Sequence, residues 1–321
     1  MHGRLFQFDL GFLKEDLVMP GPSYFVLLLA GFLIATIMGA LWARRVGQNP
    51  DVIVDLGLAM VLAGIAGSRL LHVLADGHFM EYVHRCTAPA LVDWHVTRHE
   101  CLGPDIAGVW DATRALCHPK EPDCLAWAKF YNGGFTYYGG FVAASVAAWY
   151  LLKTDRFPFW KAADMAGMVV PVGLGFGRLG CLLAGCCFGK PWQSALAVHF
   201  PGGSPASEAQ HLAGLVSSTA SESLSVHPTQ LYESAASFAI AAFLILYLHG
   251  RKRYDGQIFV AFVASYATVR FMLEFVRADD RGGLLFLSTS QLLGIVLVAA
   301  AVVAHRRLVA RALTLFRPEA A

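Results

Sequence analysis

The sequence predicts an all-α, polytopic membrane protein with about seven transmembrane helices. Only 15% of its 321 residues are charged, whereas a soluble domain usually has about 25%. A membrane-spanning helix needs roughly 20 predominantly apolar residues, and several stretches approach that length. These stretches are continuously apolar instead of alternating, which disfavours a strand barrel. The predicted spans lie near residues 23–42, 52–75, 135–152, 162–183, 229–248, 257–276 and 286–304.

The distribution of basic residues predicts how these spans are oriented. Lys and Arg concentrate in cytoplasmic loops, and here they cluster in alternate connections. We therefore expect an external N-terminus and a cytoplasmic C-terminus. The first span should serve as its own targeting signal, because residues 1–17 do not resemble a cleavable signal peptide. The basic clusters are Arg44 and Arg45; Lys153, Arg156 and Lys161; Arg251, Lys252 and Arg253; and Arg306, Arg307 and Arg311.

Two polar stretches, 77–132 and 191–226, are predicted exoplasmic insertions in a single transmembrane domain spanning 1–321. The first contains four cysteines, and an oxidising compartment favours two disulfides among them. Three pairings are possible, and the sequence does not choose. Zinc is the alternative, but the spacings do not match the usual close-paired ligands, although His95 and His99 could share a helix face. The four cysteines are Cys86, Cys101, Cys117 and Cys124.

Ionisable residues within spans are costly and normally face a cavity or a partner inside the bundle. Arg69 and Arg178 have no acidic residue three or four positions away in their own helices. Their partners must come from other helices or from a ligand, and Glu233 is a candidate. Arg270 and Glu274 share a helix face, so they could instead form an ion pair with each other.

The three arginines of the spans lie toward the predicted outer ends of their helices. We predict that Arg69, Arg178 and Arg270 converge into an anion site open to the outer leaflet. A phospholipid phosphate is the obvious anion at that depth, and guanidinium groups can hold it with two parallel hydrogen bonds.

A glycine-rich stretch, FGRLGCLLAGCCFG at 176–189, lies in one of these apolar regions. Residues 175–180 formally match G-x-G-x-x-G, but no strand precedes them, so a dinucleotide site is not indicated. The glycines would allow close helix packing or an unwound span lining a cavity. Cys181, Cys186 and Cys187 could be small packing residues or reactive thiols near Arg178. A disulfide between the adjacent pair is disfavoured.

These residues resemble the prolipoprotein diacylglyceryl transferase family. GRLGCLLAGCCFG (177–189) resembles the family signature G-R-x-G-N-F-x-N-G-E-x-x-G, and HPTQLYE (227–233) resembles H/R-P-S-Q-L-Y-E. NGGFTYYGG (132–140) resembles G-G-x-x-F-H-G-G. The resemblance runs in order from about residue 20 to about residue 305. Other matching positions are Tyr24, Ser68, Arg69, Asp164, Pro171, Tyr266, Arg270, Glu274 and 275–277.

The resemblance implies transfer of a diacylglyceryl group from phosphatidylglycerol to the lipobox cysteine thiol of a prolipoprotein signal peptide. The reaction forms a thioether and releases glycerol phosphate. The implied location is the bacterial inner membrane, among membrane lipids, with the active site toward the periplasm. The resemblance implies no metal, no cofactor and no nucleic-acid partner.

The resemblance also assigns candidate roles. Arg178 and Arg270 would stabilise the negative charge that grows on the leaving phosphate. Tyr138 would stand in the position of the base, and Glu274 would orient the arginines. The remaining predicted site residues are substrate-binding: Tyr24, Arg69, Tyr266, Gly180, Cys181, Cys186, Gly189 and Glu233.

Several positions depart from the family pattern. Tyr138 replaces the catalytic histidine, Cys181 and Ala184 replace asparagines, and Cys186 replaces a glutamate. A tyrosine hydroxyl normally keeps its proton at neutral pH. Either nearby arginines stabilise the phenolate, or the field of the arginines activates the acceptor thiol directly. Two other functions fit parts of the sequence: a thiol–quinone redox membrane protein, and a non-catalytic lipid- or lipoprotein-binding relative.

Overall fold

The computed structural model describes residues 23–75, 77, 79–103, 106, 108–129, 134–278, 283–284 and 287–315. Its described part is mostly helical. The helices are α1 (Ser23–Arg45), α2 (Pro50–Ala75), α3 (Phe79–Thr87), α4 (Arg98–Cys101), α5 (Tyr137–Thr154), α6 (Phe159–Ala184), α7 (Pro205–Leu212), α8 (Thr229–Ala242), α9 (Gln257–Leu273) and α10 (Thr289–Leu315). A π-helix, Phe243–Leu248, and a 3₁₀ turn, His249–Arg251, follow α8 directly.

A helix forms at each of the predicted membrane spans. Among the described residues, five helical segments are long and apolar enough to cross a bilayer. The helix α9 is apolar but has only 17 residues, and α5 has 18. The prediction of an all-α, polytopic membrane protein is therefore confirmed, while the number of spans and their orientation stay predictions. The five segments are Tyr24–Arg45, Pro50–Ala75, Phe159–Ala184, Thr229–Arg251 and Thr289–Thr314.

The described residues form two compact units. Unit 1 comprises the residues up to Pro50 and those from Phe157 onward, and unit 2 comprises Asp51–Arg156. The predicted insertion 77–132 belongs to unit 2, and the predicted insertion 191–226 belongs to unit 1. The prediction of a single domain with these two insertions stays a prediction.

In unit 2, glycines allow α2 and α5 to pack closely. A Cβ atom placed on Gly67 would lie 2.6 Å from the carbonyl oxygen of Gly139 and 2.3 Å from the Cβ of Ala143. A side chain larger than hydrogen at Gly67 or Gly139 would push the two helices apart, so glycine at these positions permits the close contact. This crossing was not among the glycine contacts predicted from the sequence, which concerned the glycine-rich stretch of α6.

Two disulfides tie together the polar segment of unit 2. They join Cys86 to Cys124 and Cys101 to Cys117. Cys117 lies on strand β2 (Leu116–His118), which pairs antiparallel with β1 (Val109–Asp111). The prediction of disulfides in preference to zinc is confirmed, and the structure selects the nested pairing from the three that the sequence left open.

Removing the inner disulfide should destabilise this segment by about 3 kcal/mol. The bond closes a loop with a sequence separation of 16, and restraining a loop of that length in the unfolded chain is worth roughly that amount. We expect the variant Cys101→Ser/Cys117→Ser to be cleaved faster by protease within residues 86–124 than the wild type. Equal cleavage rates would show that the loop is held by other contacts.

In unit 1, α6 is the central helix and packs against α1, α8 and α9. A buried carboxylate on α6 fixes the start of α9. Asp164 accepts hydrogen bonds from the backbone N–H groups of Gly256 at 2.9 Å, Ile258 at 2.8 Å and Phe259 at 3.2 Å. The first N–H groups of a helix have no intrahelical acceptor, so this side chain satisfies them from a neighbouring helix.

Lys252 supplies the opposite charge, with Nζ 3.0 Å from Asp164 and 2.8 Å from Asp255. Partial burial acts to lower the pKa of Lys252, but its hydrogen bonds to Asp255 and Asp164 outweigh burial and raise that pKa overall. Of its two partners, Asp164 is fully buried whereas Asp255 is exposed. The cost of Asp164 within a predicted span is therefore offset by structural hydrogen bonds.

The variant Asp164→Asn should lose about 2–3 kcal/mol of unfolding free energy. The amide has one acceptor oxygen and no charge, so charge-assisted hydrogen bonds to buried N–H groups are lost. Unfolding in mixed micelles titrated with dodecyl sulfate would measure the loss. The matched control is Asp255→Asn, which removes the exposed partner of the same lysine and should cost less than about 1 kcal/mol. Equal losses in the two variants would contradict a special role for Asp164.

Candidate active site

A fully buried carboxylate, Glu233, organises a charged cluster in unit 1. Its Oε1 lies 3.1 Å from Nε of Arg178 and accepts a 2.7 Å hydrogen bond from the hydroxyl of Tyr266. Its Oε2 lies 3.7 Å from Nη1 of Arg277. We call Arg178, Glu233, Tyr266 and Arg277 the Glu233 cluster. The prediction that Glu233 is the partner of Arg178 is confirmed.

The sequence explains how these four side chains meet. Glu233 lies on the first turns of α8, Arg178 on the second half of α6, and Tyr266 on α9, while Arg277 follows α9. The three helices pack against one another. Charges this deep are tolerated only when they are paired and hydrogen-bonded, and each member of the cluster contacts the shared carboxylate.

The cluster carries a net positive charge, because two guanidinium groups share one carboxylate. The side chain of Arg178 is 19% exposed, compared with 2% for Arg277 and 0% for Glu233. Arg178 is therefore the cationic member that a ligand can reach from outside the cluster. A guanidinium fixed at one edge by a carboxylate can still donate from its other nitrogens, so the arrangement suits an anion.

Arg270 and Glu274 form a second charged pair in unit 1. Nη1 of Arg270 lies 3.1 Å from Oε2 of Glu274, and both side chains are mostly buried. Arg270 is one helical turn beyond Tyr266 on the same face of α9. The alternative interpretation of these residues as an ion pair is confirmed. Their predicted roles toward substrate stay predictions.

A second cluster forms where α6 ends. The helix stops at Ala184, and Gly185 adopts the left-handed conformation with φ of 69°. The backbone N–H of Gly185 donates to the carbonyl oxygen of Leu182 at 3.1 Å, and the backbone N–H of Cys186 donates to the carbonyl oxygen of Cys181 at 3.2 Å. This pattern reverses the chain, so Cys186 is turned back toward the last helical turn that carries Cys181.

Cys187 completes the group, which we call the thiol cluster: Cys181, Cys186 and Cys187. Cys187 also has a positive φ, 63°, and the three Sγ atoms all lie within 4.8 Å of one another. All three are free thiols, in agreement with the expectation against a disulfide between the adjacent pair. The thiol cluster adjoins the Glu233 cluster, since Nη1 of Arg178 lies 3.9 Å from Sγ of Cys181.

The remaining predicted substrate-binding residues of unit 1 lie in packed positions. Tyr24 of α1 is half-buried against α6, where a Cβ on Gly180 would come within 3.2 Å of the Tyr24 carbonyl oxygen. The backbone N–H of Gly189 donates to the carbonyl of His227 at 3.0 Å, and the His227 ring stacks on Trp192. Contact of Tyr24, Gly180 or Gly189 with substrate stays a prediction.

Two predicted site residues, Arg69 and Tyr138, belong to unit 2. Arg69 is buried and donates to three backbone carbonyl oxygens: from Nε to Trp127 at 2.8 Å, from Nη2 to Ala126 at 2.9 Å and from Nη1 to Gly134 at 3.2 Å. It thus anchors the polar segment of its own unit. Tyr138 lies on the first turn of α5 and is exposed. Convergence of Arg69 with the other arginines stays a prediction.

The structure places in these clusters two residues that were not among the predicted site residues, Arg277 and Cys187. Arg277 lies beyond the end of α9 and forms an isolated backbone bridge with Gly189, so helical spacing does not place it. The available signal was the resemblance, in which positions 275–277 match the family pattern. Cys187 carries no comparable signal, because its position depends on a backbone conformation that cysteine rarely adopts.

Comparison with known proteins gives a consistent match. A model of the family described as prolipoprotein diacylglyceryl transferase matches residues 21–306, which include both clusters. Curated relatives named phosphatidylglycerol–prolipoprotein diacylglyceryl transferase include one from Clostridium tetani, 27% identical over 85% of this chain and 87% of the relative. One from Corynebacterium diphtheriae is 28% identical over 88% of this chain and 87% of the relative. One from Xanthomonas axonopodis pv. citri is 34% identical over 54% of this chain and 61% of the relative.

Proposed function

Since this chain belongs to the prolipoprotein diacylglyceryl transferase family, we propose that it moves a diacylglyceryl group from phosphatidylglycerol to the lipobox cysteine thiol of a prolipoprotein. Its curated relatives carry names that state both substrates. We place the reaction at the periplasmic side of the bacterial inner membrane, in accordance with the orientation that the basic loops predict. The signal peptide of the precursor and the surrounding lipids are then its partners.

The observation that carries this proposal is the net positive Glu233 cluster with its reachable guanidinium. In the reaction, a carbon–sulfur bond forms at the terminal glyceryl carbon while the bond from that carbon to the phosphate oxygen breaks. The electron pair leaves on the oxygen, and glycerol phosphate departs. Negative charge therefore grows on the phosphate in the transition state, where prepositioned cations are most effective. Arg178 supplies that charge, and Glu233 and Tyr266 hold it in place.

The other predicted residues have proposed supporting roles. Arg270 donates to the phosphate together with Arg178, and Glu274 orients Arg270 through the observed ion pair. Tyr24, Gly180, Gly189, Cys181 and Cys186 contribute to the substrate-binding surface of unit 1. In unit 2, Arg69 supports the segment around Gly134, and Tyr138 occupies the position of the base.

Reconstitution of the full-length chain tests the proposal directly. Vesicles would contain phosphatidylglycerol, and a synthetic signal peptide with a lipobox cysteine would be the acceptor. We expect a peptide mass increase equal to one diacylglyceryl group and release of glycerol phosphate in equal amount. Vesicles of phosphatidylethanolamine and a peptide with serine in place of the cysteine are the matched controls.

A folded chain that binds phosphatidylglycerol vesicles but gives neither product would overturn the proposal. That outcome would favour the non-catalytic lipid-binding relative, which the tyrosine at position 138 makes the second candidate. Product formation that requires the acceptor cysteine would exclude it.

A further inference from the structure

We propose that the thiol cluster is a zinc site, in which Cys181, Cys186 and Cys187 bind Zn²⁺ as thiolates and the fourth position stays open for the acceptor thiol. The site itself follows from the geometry of these three residues. Its catalytic role rests on the function proposed above.

The spacing of the three sulfur atoms suits one metal ion. A zinc ion about 2.3 Å from each thiolate requires the sulfurs to be about 4 Å apart, and all three Sγ atoms already lie within 4.8 Å of one another. The three sulfurs are therefore already close to the separation that one zinc ion requires. Thiolate ligands are also the ones that zinc and other soft cations prefer in proteins.

The backbone that carries the ligands is fixed from a neighbouring helix. Thr229 donates its hydroxyl to the carbonyl of Cys187 at 2.7 Å, and the Gln230 amide donates to the carbonyl of Cys186 at 2.7 Å. Both donors are buried residues at the start of α8. The left-handed backbone at Cys187 costs energy for a side chain with a Cβ, and these bonds hold it. A site positioned by such supporting contacts is preorganised for a ligand.

The surrounding charges favour zinc. Zn²⁺ with three thiolates carries one net negative charge. Nη1 of Arg178 lies 3.9 Å from Sγ of Cys181, and Nη1 of Arg277 lies 3.7 Å from Oε2 of Glu233, the carboxylate that pairs with Arg178. With Glu233 included, the neighbouring side chains carry one net positive charge. Copper(I) with three thiolates would carry two negative charges and would leave no open position, so zinc is the better match.

A zinc ion with three protein ligands keeps a position for substrate, and a thiol that binds there is deprotonated outright. The acceptor cysteine would bind as the thiolate, and its proton would pass to bulk water. Its sulfur lone pair then attacks the glyceryl carbon, and the bond from that carbon to the phosphate oxygen breaks. The neutral thioether is a weak ligand and leaves the zinc. This route needs no side-chain base to remove the proton of the acceptor thiol.

Metal content of the purified full-length chain tests the site independently of activity. Protein in detergent would be loaded with Zn²⁺, dialysed against a weak chelator and measured by elemental mass spectrometry. We expect one zinc per chain, and at least a tenfold loss of zinc affinity in Cys181→Ser and in Cys187→Ser. Leu183→Ala is the matched control, because it truncates a neighbour on the same turn and keeps all three thiols; it should retain the zinc.

Substitution of Co²⁺ for zinc gives a second readout. Wild type and Leu183→Ala should show a near-ultraviolet sulfur-to-cobalt absorption band that is absent from the triple variant Cys181→Ser/Cys186→Ser/Cys187→Ser. The acceptor peptide should intensify that band, and its serine version should not. Intact disulfides and an unchanged unfolding midpoint would show that the triple variant is folded.

The outcomes separate the two proposals. A wild type that holds no zinc, holds only copper, or holds as much zinc as the triple variant overturns the site, and lipid transfer by that zinc-free protein leaves the proposed function standing. Zinc held by the thiols without transfer supports the site and overturns the function. Equal transfer rates with and without zinc overturn the catalytic role.

Discussion

Replacing Arg178 by lysine is expected to slow diacylglyceryl transfer by about 10²- to 10³-fold, the loss typical when one prepositioned donor to transition-state charge is removed. Lysine keeps a positive charge near Glu233, so the buried carboxylate stays compensated. It lacks the planar fork that can bind the carboxylate on one edge and a phosphate on the other. Because the phosphate gains charge during the reaction, kcat should fall much more than KM rises. Initial rates at several vesicle contents of phosphatidylglycerol would measure both constants.

The control for that variant is Arg306→Ala, which removes an exposed arginine of α10 in the same unit. It should leave both constants within about twofold of wild type. A lysine variant with unchanged kcat and a raised KM would mean that Arg178 binds the lipid in its ground state only. Its role in stabilising the leaving group would then be wrong.

Much of the fold could be predicted because the hydrocarbon core of a bilayer limits which sequences can cross it. Each predicted span contains a helix, since an apolar run in a bilayer must satisfy its backbone groups internally. The same reasoning identified the partner of Arg178. A lone arginine in a span needs a carboxylate from another helix, and Glu233 is the acidic residue of the HPTQLYE stretch, in the predicted span near 229–248.

Contacts between side chains and backbone atoms could not be predicted from the sequence. Arg69 donates to three carbonyl oxygens, and a carbonyl acceptor has no residue type that marks it in a sequence. Asp164 likewise binds N–H groups that any residue could provide. The pairing of Cys86 with Cys124 depends on the folded path of 38 residues, which cysteine spacing does not encode.

The second large effect is expected from Glu233→Gln, which should lower the unfolding free energy by about 3–5 kcal/mol. Glutamine can still accept the hydrogen bond from Tyr266, but it carries no charge. Arg178 and Arg277 would then lie close together at a depth where water cannot screen them, and an uncompensated buried charge costs about that much. Dodecyl sulfate titration in mixed micelles would measure the loss. Ser237→Ala, which truncates a buried residue one turn further along α8, is the matched control and should cost less than about 1.5 kcal/mol.

A double variant tests whether the effect arises from charge and not from packing. Adding Arg277→Met to Glu233→Gln removes one guanidinium with the carboxylate and keeps most of the side-chain volume. The cluster then retains the single net positive charge that the wild type has. Coupled buried charges interact by about 0.5–3 kcal/mol in such double-mutant cycles. The double variant should therefore lose less unfolding free energy than the sum of the losses in the two single variants. If the two single losses simply add, Arg277 and Glu233 do not interact across their 3.7 Å separation. The Glu233 cluster would then not act as one electrostatic unit around Arg178.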